Sequence, residues 1–152
     1  MSDPGERAAR PVPAMDRDSR PWWQALAEHR LLLPRCAACG AWRWPPREMC
    51  GRCGSFEWTW EPASGRGTVA SWIVNHHTFS VDIPSPYVVL TVRLDEQDDL
   101  LLVGSLDRGT GAEPGPADAG LALGAPVEAT YLDCTGSDAS TFTLLCWRLA
   151  GR

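Results

Sequence analysis

Four of the chain's six cysteines stand within eighteen residues, as Cys36/Cys39 and Cys50/Cys53. The two Cys-x-x-Cys pairs are separated by ten residues that include Trp42, Trp44 and Pro45-Pro46. Each pair places two thiolates on one tight turn, and Gly40 and Gly54 follow the pairs where a positive φ is commonly needed. Four thiolates complete a tetrahedral metal shell and leave no open position, so the expected site is structural and closed. Two disulfides or four reduced thiols are the bland alternative, disfavoured in a reducing compartment. A four-thiolate site accepts zinc or iron. Zinc is expected because no flavin or reductase motif accompanies the site, while iron, and electron transfer with it, stays open.

The charge is uneven. The 152 residues carry a net charge of −5, with no lysine, so all fourteen basic residues are Arg. Residues 1–66 hold ten Arg against eight acids, and residues 67–152 hold four Arg against eleven acids. A nucleic-acid binder presents a basic stripe, and the C-terminal half presents the opposite. No apolar run reaches the roughly 18–20 residues of a membrane helix, and the polar, Pro-rich N-terminus has no apolar signal core. The expectation is a cytoplasmic protein, with residues 1–17 as a flexible tail.

The pattern downstream predicts a mainly β chain. Residues 18–34 read as a helix that ends near His29, with Ser19 as N-cap and Pro21 in the first turn. "RLLLPRC" reads as extended chain entering the cysteine module, 35–62, which closes on a short strand, "FEWTWEP". Five extended stretches follow at 67–77, 87–96, 99–107, 125–133 and 141–150. Val88, Leu90, Val92 and Leu94 share one face of the second. "DEQDD" should join the second and third as an antiparallel hairpin. The third and fifth are apolar on both faces, so each should bury one face in a barrel and have the other covered. A Gly/Pro-rich excursion with one helical turn separates the third from the fourth. Five short strands with one long interruption fit a closed OB-fold barrel over 63–152, with a sandwich fragment as the alternative.

The motif set resembles the family that joins a rubredoxin-like zinc ribbon to an OB-fold and is associated with acyl-CoA and thiolase-superfamily enzymes. The resemblance rests on Arg35 to Gly40, Trp44, Pro45-Pro46-Arg47, Cys50 to Ser55, Trp58 or Trp60, and Gly65-Arg66-Gly67-Thr68-Val69. "PSPYVVLTVRLDE" and "LALGAPVEATYLD" extend it, so that it spans residues 21–149. Two positions depart: His29 stands where the family often has a helix-ending Gly, and Gln97 replaces a Gly after the second barrel strand. The resemblance implies a non-catalytic accessory subunit of a thiolase, an acyltransferase or an aldolase that shortens sterol side chains. Zinc would be held by Cys36, Cys39, Cys50 and Cys53. The helix and ribbon would dock on the partner, and the barrel would help form the acyl-CoA channel.

The remaining residues bear on that implication. No nucleophile-elbow motif or phosphate-binding glycine loop is present. Cys146 reads as a buried apolar thiol, and Cys134 as a turn residue beside Asp133. His76 and His77 are adjacent on a strand and so face opposite ways, against a joint catalytic role. With Phe79 and Tyr87 they are candidates for the mouth of an acyl-CoA channel. His29 reads as a helix C-terminal residue favoured by the dipole. Arg43, Arg47, Arg52 and Arg66 cluster around the ribbon, as partners for CoA phosphates or for acids on another subunit, against solvated surface charge. Trp22, Trp23, Trp42, Trp44, Trp58 and Trp60 all lie in a helix–ribbon half too small to bury six indoles. Trp22, Trp23, Trp42, Trp44 and Arg47 are therefore the expected partner interface. The rivals are a nucleic-acid-binding ribbon/OB module and an iron electron-transfer protein.

Overall fold

The structure is a computed structural model and describes residues 10–79, 83, 85–107, 109 and 120–151. Residues 1–9 of the expected tail and most of the Gly/Pro-rich excursion lie outside that range.

One helix comes first, α1, Arg20–Ala27. Trp22, Ala25 and Leu26, spaced three and four apart, form its buried stripe. Ser19 occupies the N-cap position but makes no side-chain cap; its hydroxyl donates to Asp16 Oδ1 (2.6 Å) instead. The helix stops in a Schellman turn. The His29 N–H donates to the Leu26 carbonyl (2.8 Å) and the Arg30 N–H to the Ala25 carbonyl (2.9 Å). His29 sits at φ 55°, the left-handed conformation that favours glycine. This explains why a Gly is common there, and it gives His29 a part at the helix end besides the dipole. Its ring stacks on Tyr131 (5.2 Å), and its Nε2 lies 2.9 Å from Asp133 Oδ1. The side chain thus fastens the end of α1 to a strand of the barrel.

Strand β1 (Leu32–Cys36) pairs antiparallel with β2 (Trp58–Pro62), from Leu32↔Pro62 to Cys36↔Trp58. This two-stranded sheet carries the cysteine loops at one end. The remaining strands are β3 (Arg66–Asn75), β4 (Tyr87–Leu94), β5 (Leu101–Leu106), β6 (Pro126–Thr135) and β7 (Thr141–Leu149). They close into a barrel of order β3-β4-β5-β7-β6. The expected hairpin is β4–β5, antiparallel from Val89↔Ser105 to Arg93↔Leu101. Closure depends on two short seams. One is parallel, Ser105↔Cys146 and Leu106↔Trp147; the other joins Arg66, Gly67 and Thr68 to Glu128, Val127 and Pro126. This order, antiparallel except between the third and last barrel strands, is the OB-fold arrangement.

The inward face of β4 is Val88, Leu90, Val92 and Leu94, all buried, as the alternation required. They meet Leu102 of β5, Val127 of β6 and Trp147 of β7. Trp147 is wholly buried, and a Cβ added at Gly104 would sit 2.9 Å from its Cδ1 and 2.7 Å from the Leu145 carbonyl oxygen. Gly104 is therefore the gap in β5 that admits the indole. Cys146 is buried as expected, and burial, then the nearby Asp107 charge, push its thiol up to about 11. Cys134 lies in β6 rather than in a turn, and it is buried. Of the two strands expected to be covered, β7 is, among the described residues, packed by α1. On β5, Leu101 and Val103 stay exposed, at 42 and 61 %.

The helix and ribbon do not form a core of their own. Trp22, Leu26, Leu31 and Leu33 belong to the same buried cluster as the barrel residues, and Trp23, Trp42, Trp44 and Trp60 pack on it partly buried. Six indoles are too many for the ribbon half, but the barrel's cluster supplies surface for five of them, while Trp58 meets Trp60 edge-on (5.7 Å) and the Arg43 guanidinium. The expectation that they stand exposed is corrected on that ground. No helix among the described residues is long and apolar enough to cross a membrane.

Candidate metal centre and the surfaces beside it

The two cysteine loops are built alike. In the first, the Cys36 N–H donates to the Ala41 carbonyl (2.9 Å) and the Gly40 N–H to the Cys36 carbonyl (2.9 Å). In the second, the Cys50 N–H donates to the Ser55 carbonyl (2.8 Å) and the Gly54 N–H to the Cys50 carbonyl (2.9 Å). Gly40 and Gly54 have φ 73° and 74°, so the positive-φ requirement read from their positions holds. Arg35 braces the first loop, donating from Nε to the Gly40 carbonyl (3.0 Å) and from Nη1 to Glu61 (3.1 Å). Its guanidinium also lies over the Trp42 ring, 5.1 Å from the centroid.

All four sulfurs lie within 4.8 Å of one another. Cys36 Sγ is 3.6 Å from Cys53 Sγ, and Cys39 Sγ is 3.7 Å from Cys50 Sγ. A disulfide would need about 2.05 Å, whereas thiolates placed tetrahedrally around zinc at about 2.3 Å are about 3.8 Å apart. The donor set therefore fits a tetrahedral ion. Backbone N–H groups of Cys39 and Ala38, with the neighbouring thiols, bring the Cys36 thiol down to about 6 against its burial. The N–H groups of Cys53 and Arg52 lower that of Cys50. At Cys53 the Ser55 N–H favours the thiolate, but crowding by Cys39, Cys36 and Cys50, together with burial, outweighs it and raises the thiol to about 11. Several thiolates in one small volume repel one another, and a divalent cation removes that conflict. Cys36 and Cys50 are buried and Cys39 and Cys53 exposed, so one side of the site faces solvent.

Beyond the sulfurs, the ribbon is tied to the barrel by Gln97. Its Oε1 accepts from the Trp42 N–H (2.9 Å), and its Nε2 donates to the Trp42 carbonyl (3.0 Å) and to Asp99 (2.7 Å). Asp99 in turn receives Arg52 at 2.9 and 3.0 Å. The departure from Gly at position 97 thus has a structural use that nothing in the sequence indicated. Two grooves flank this junction. The first, about 470 Å³, is lined by Trp42, Arg43, Trp44, Arg47, Arg52 and Asp99 among others. The second, about 350 Å³, is apolar, with Trp22, Trp23 and Trp44 facing Val89, Val103 and Leu144. Trp44 belongs to both, and its ring lies 4.2 Å from that of Trp22.

Of the expected interface residues, then, Trp22, Trp23, Trp42 and Trp44 are brought together around these grooves, with Arg47 exposed at the rim of the first. The channel candidates are more scattered. His76 and His77 lie just past the end of β3, both exposed. His77 meets Phe79 edge-on at 4.8 Å, and Phe79 is 74 % exposed. Tyr87 opens β4 opposite Asn75.

Comparison with known proteins follows the same division. Residues 23–59 match the family model described as the ChsH2 rubredoxin-like zinc ribbon domain, and residues 60–132 match the ChsH2 C-terminal OB-fold domain. Among solved structures, a chain of the "Ltp2-ChsH2(DUF35) aldolase" is 37 % identical with TM-score 0.75, covering 91 % of this chain and 99 % of that one. A DUF35-family protein of unknown function from Sulfolobus solfataricus shares the fold at 14 % identity and TM-score 0.55, over 88 % of this chain and 85 % of that one. A "probable enoyl-CoA hydratase alpha subunit" of Thermomonospora curvata is 45 % identical over 64 % of this chain and 31 % of its own length. A "3-oxo-4,17-pregnadiene-20-carboxyl-CoA hydratase alpha subunit" of Mycobacterium tuberculosis is 34 % identical over 80 % of this chain and 36 % of its own. The chain thus spans about a third of the length of these curated relatives.

Proposed function

From the premise that this chain belongs to the ChsH2 family of zinc-ribbon and OB-fold proteins, we propose that it is a non-catalytic accessory subunit. It binds and stabilises a thiolase-superfamily enzyme acting on acyl-CoA. The observation that carries this reading is the likeness along 99 % of a chain of the "Ltp2-ChsH2(DUF35) aldolase". The relatives are named as subunits, and two of those names concern CoA thioesters.

The geometry supports the reading in three ways. Four thiolates around one point leave a bound zinc no open position, so the ion holds the loops and takes no part in bond making. Trp22, Trp23, Trp42, Trp44 and Arg47 border grooves beside that ribbon, in the Trp/Arg composition of interface centres. Exposed apolar side chains continue along the barrel: Val103 at 61 % and Ile73 at 64 %. In the complex, His76, His77, Phe79 and Tyr87 would stand at the mouth of the acyl-CoA channel. Cytoplasmic residence belongs to the same proposal, which assigns the chain no nucleic-acid partner.

The hydratase names favour a second reading, in which a module of this kind serves a hydratase subunit. Purification of the tagged chain from its host separates the two. Recovery of a thiolase-superfamily enzyme is expected; recovery of a hydratase subunit instead, or of no acyl-CoA enzyme, would sink the first.

A further inference from the structure

Among the described residues, Arg43 has three buried side-chain nitrogens without a partner. It is only 9 % exposed, yet its Nε, Nη1 and Nη2 are buried without any hydrogen-bond partner among the described residues. The guanidinium carbon lies 5.1 Å from the centroid of the Trp58 ring. A cation–π contact offsets only part of the cost of burying a guanidinium away from water. Arg47 lines the same groove, is exposed, and makes no ion pair among the described residues. The third arginine, Arg52, is already neutralised by Asp99. Two arginines without an ion pair among the described residues, Arg43 and Arg47, therefore line one open groove of about 470 Å³ in a chain whose net charge is −5.

We infer that this groove receives a carboxylate carried by the partner subunit, held between Arg43 and Arg47. The inference deepens the accessory-subunit reading and rests on it. A carboxylate matches the planar fork of a guanidinium and supplies the acceptors that Arg43 lacks. The groove is open and walled by Trp42, Trp44 and Met49, which suits an acidic side chain entering beside apolar neighbours. Met49, 52 % exposed, stands in the same lining, and its unbranched thioether side chain can adjust to an entering group. The arrangement gives a charge-selected contact next to the apolar groove under Trp44, and such pairs set partner choice as much as affinity.

The test uses the full zinc-loaded chain. Arginine Nε–H signals are followed by NMR while glutarate, sodium chloride or phosphate is added. We expect glutarate to move the Arg43 and Arg47 signals saturably, phosphate less, and chloride not at all, with the response absent in Arg43→Met. We also expect Arg43→Met and Arg47→Met each to weaken binding of the co-purified enzyme subunit about tenfold or more. Arg47 is exposed, so its variant carries the test if Arg43→Met fails to fold. Equal shifts with chloride, tighter saturation by phosphate, or unchanged binding by Arg47→Met would overturn the inference. Absence of any co-purifying enzyme would overturn the accessory reading instead, leaving the glutarate titration to judge the groove.

Discussion

The ribbon and the barrel reach order by opposite means. In the barrel, apolar side chains from five strands close on Trp147, and the backbone groups pair strand to strand. The loops of the ribbon own a buried cluster of only Cys36, Ala41 and Cys50. Their order rests on four sulfurs, on a few knuckle hydrogen bonds, and on Leu31, Leu33 and the indoles that reach into the barrel's core. A small module can thus be very stable where metal supplies the missing burial. It is also the part whose stability ought to respond most to pH and chelators.

That contrast can be broken from either side, and metal removal should have the largest effect. A strong chelator, or Cys36→Ser, should release the ion and raise hydrogen exchange across residues 37–57, while β4 and β7 keep most of their protection. Equal loss of protection in both regions would show that the barrel depends on the ion as well. Acid should act in the same direction. The depressed Cys36 thiol contributes fully above the ordinary thiol range and loses that contribution as pH falls through about 6. Metal release, followed with a colorimetric zinc indicator, should rise as the pH falls, because protons compete with the ion for the four sulfurs.

The barrel should break at Trp147. Trp147→Ala leaves a large cavity and should cost about 3–5 kcal/mol in denaturant melts, with zinc still bound in whatever fraction remains folded. The junction should give less. Gln97→Gly removes the two hydrogen bonds to the Trp42 backbone and should cost about 1–2 kcal/mol. It should also raise exchange at Trp42 without changing the zinc content. Smallest is the fastening at the helix end. The His29–Asp133 contact is exposed, so His29→Ala should change stability by about 1 kcal/mol or less.

What could be read in advance also divides along this line. The four-cysteine cluster was legible because its chemistry is local: spacing and the following glycines put two thiols on each turn whatever the rest of the chain does. The barrel strands were legible from alternation, as in Val88 to Leu94, where a period of two leaves one consistent inside face. Contacts that depend on tertiary placement were not. Gln97 and Trp42 are 55 residues apart, and His29 and Asp133 are 104 apart; no periodic signal links either pair. The indoles of the ribbon half show the same limit. Their number was visible, but the surface that covers them belongs to another part of the chain. Arg43 could be listed as one arginine among several, but its burial under Trp58 follows only from the fold.

The central claim is that this chain supports an enzyme without performing the reaction. The most direct measurement is thioester-linked carbon–carbon cleavage or formation by the co-purified thiolase-superfamily subunit, with rising amounts of the zinc-loaded chain. The account predicts a rate that climbs and then saturates, no turnover by the chain alone, and no stimulation by the metal-free Cys36→Ser variant. Turnover by the chain alone, or an enzyme rate indifferent to its presence, would contradict it.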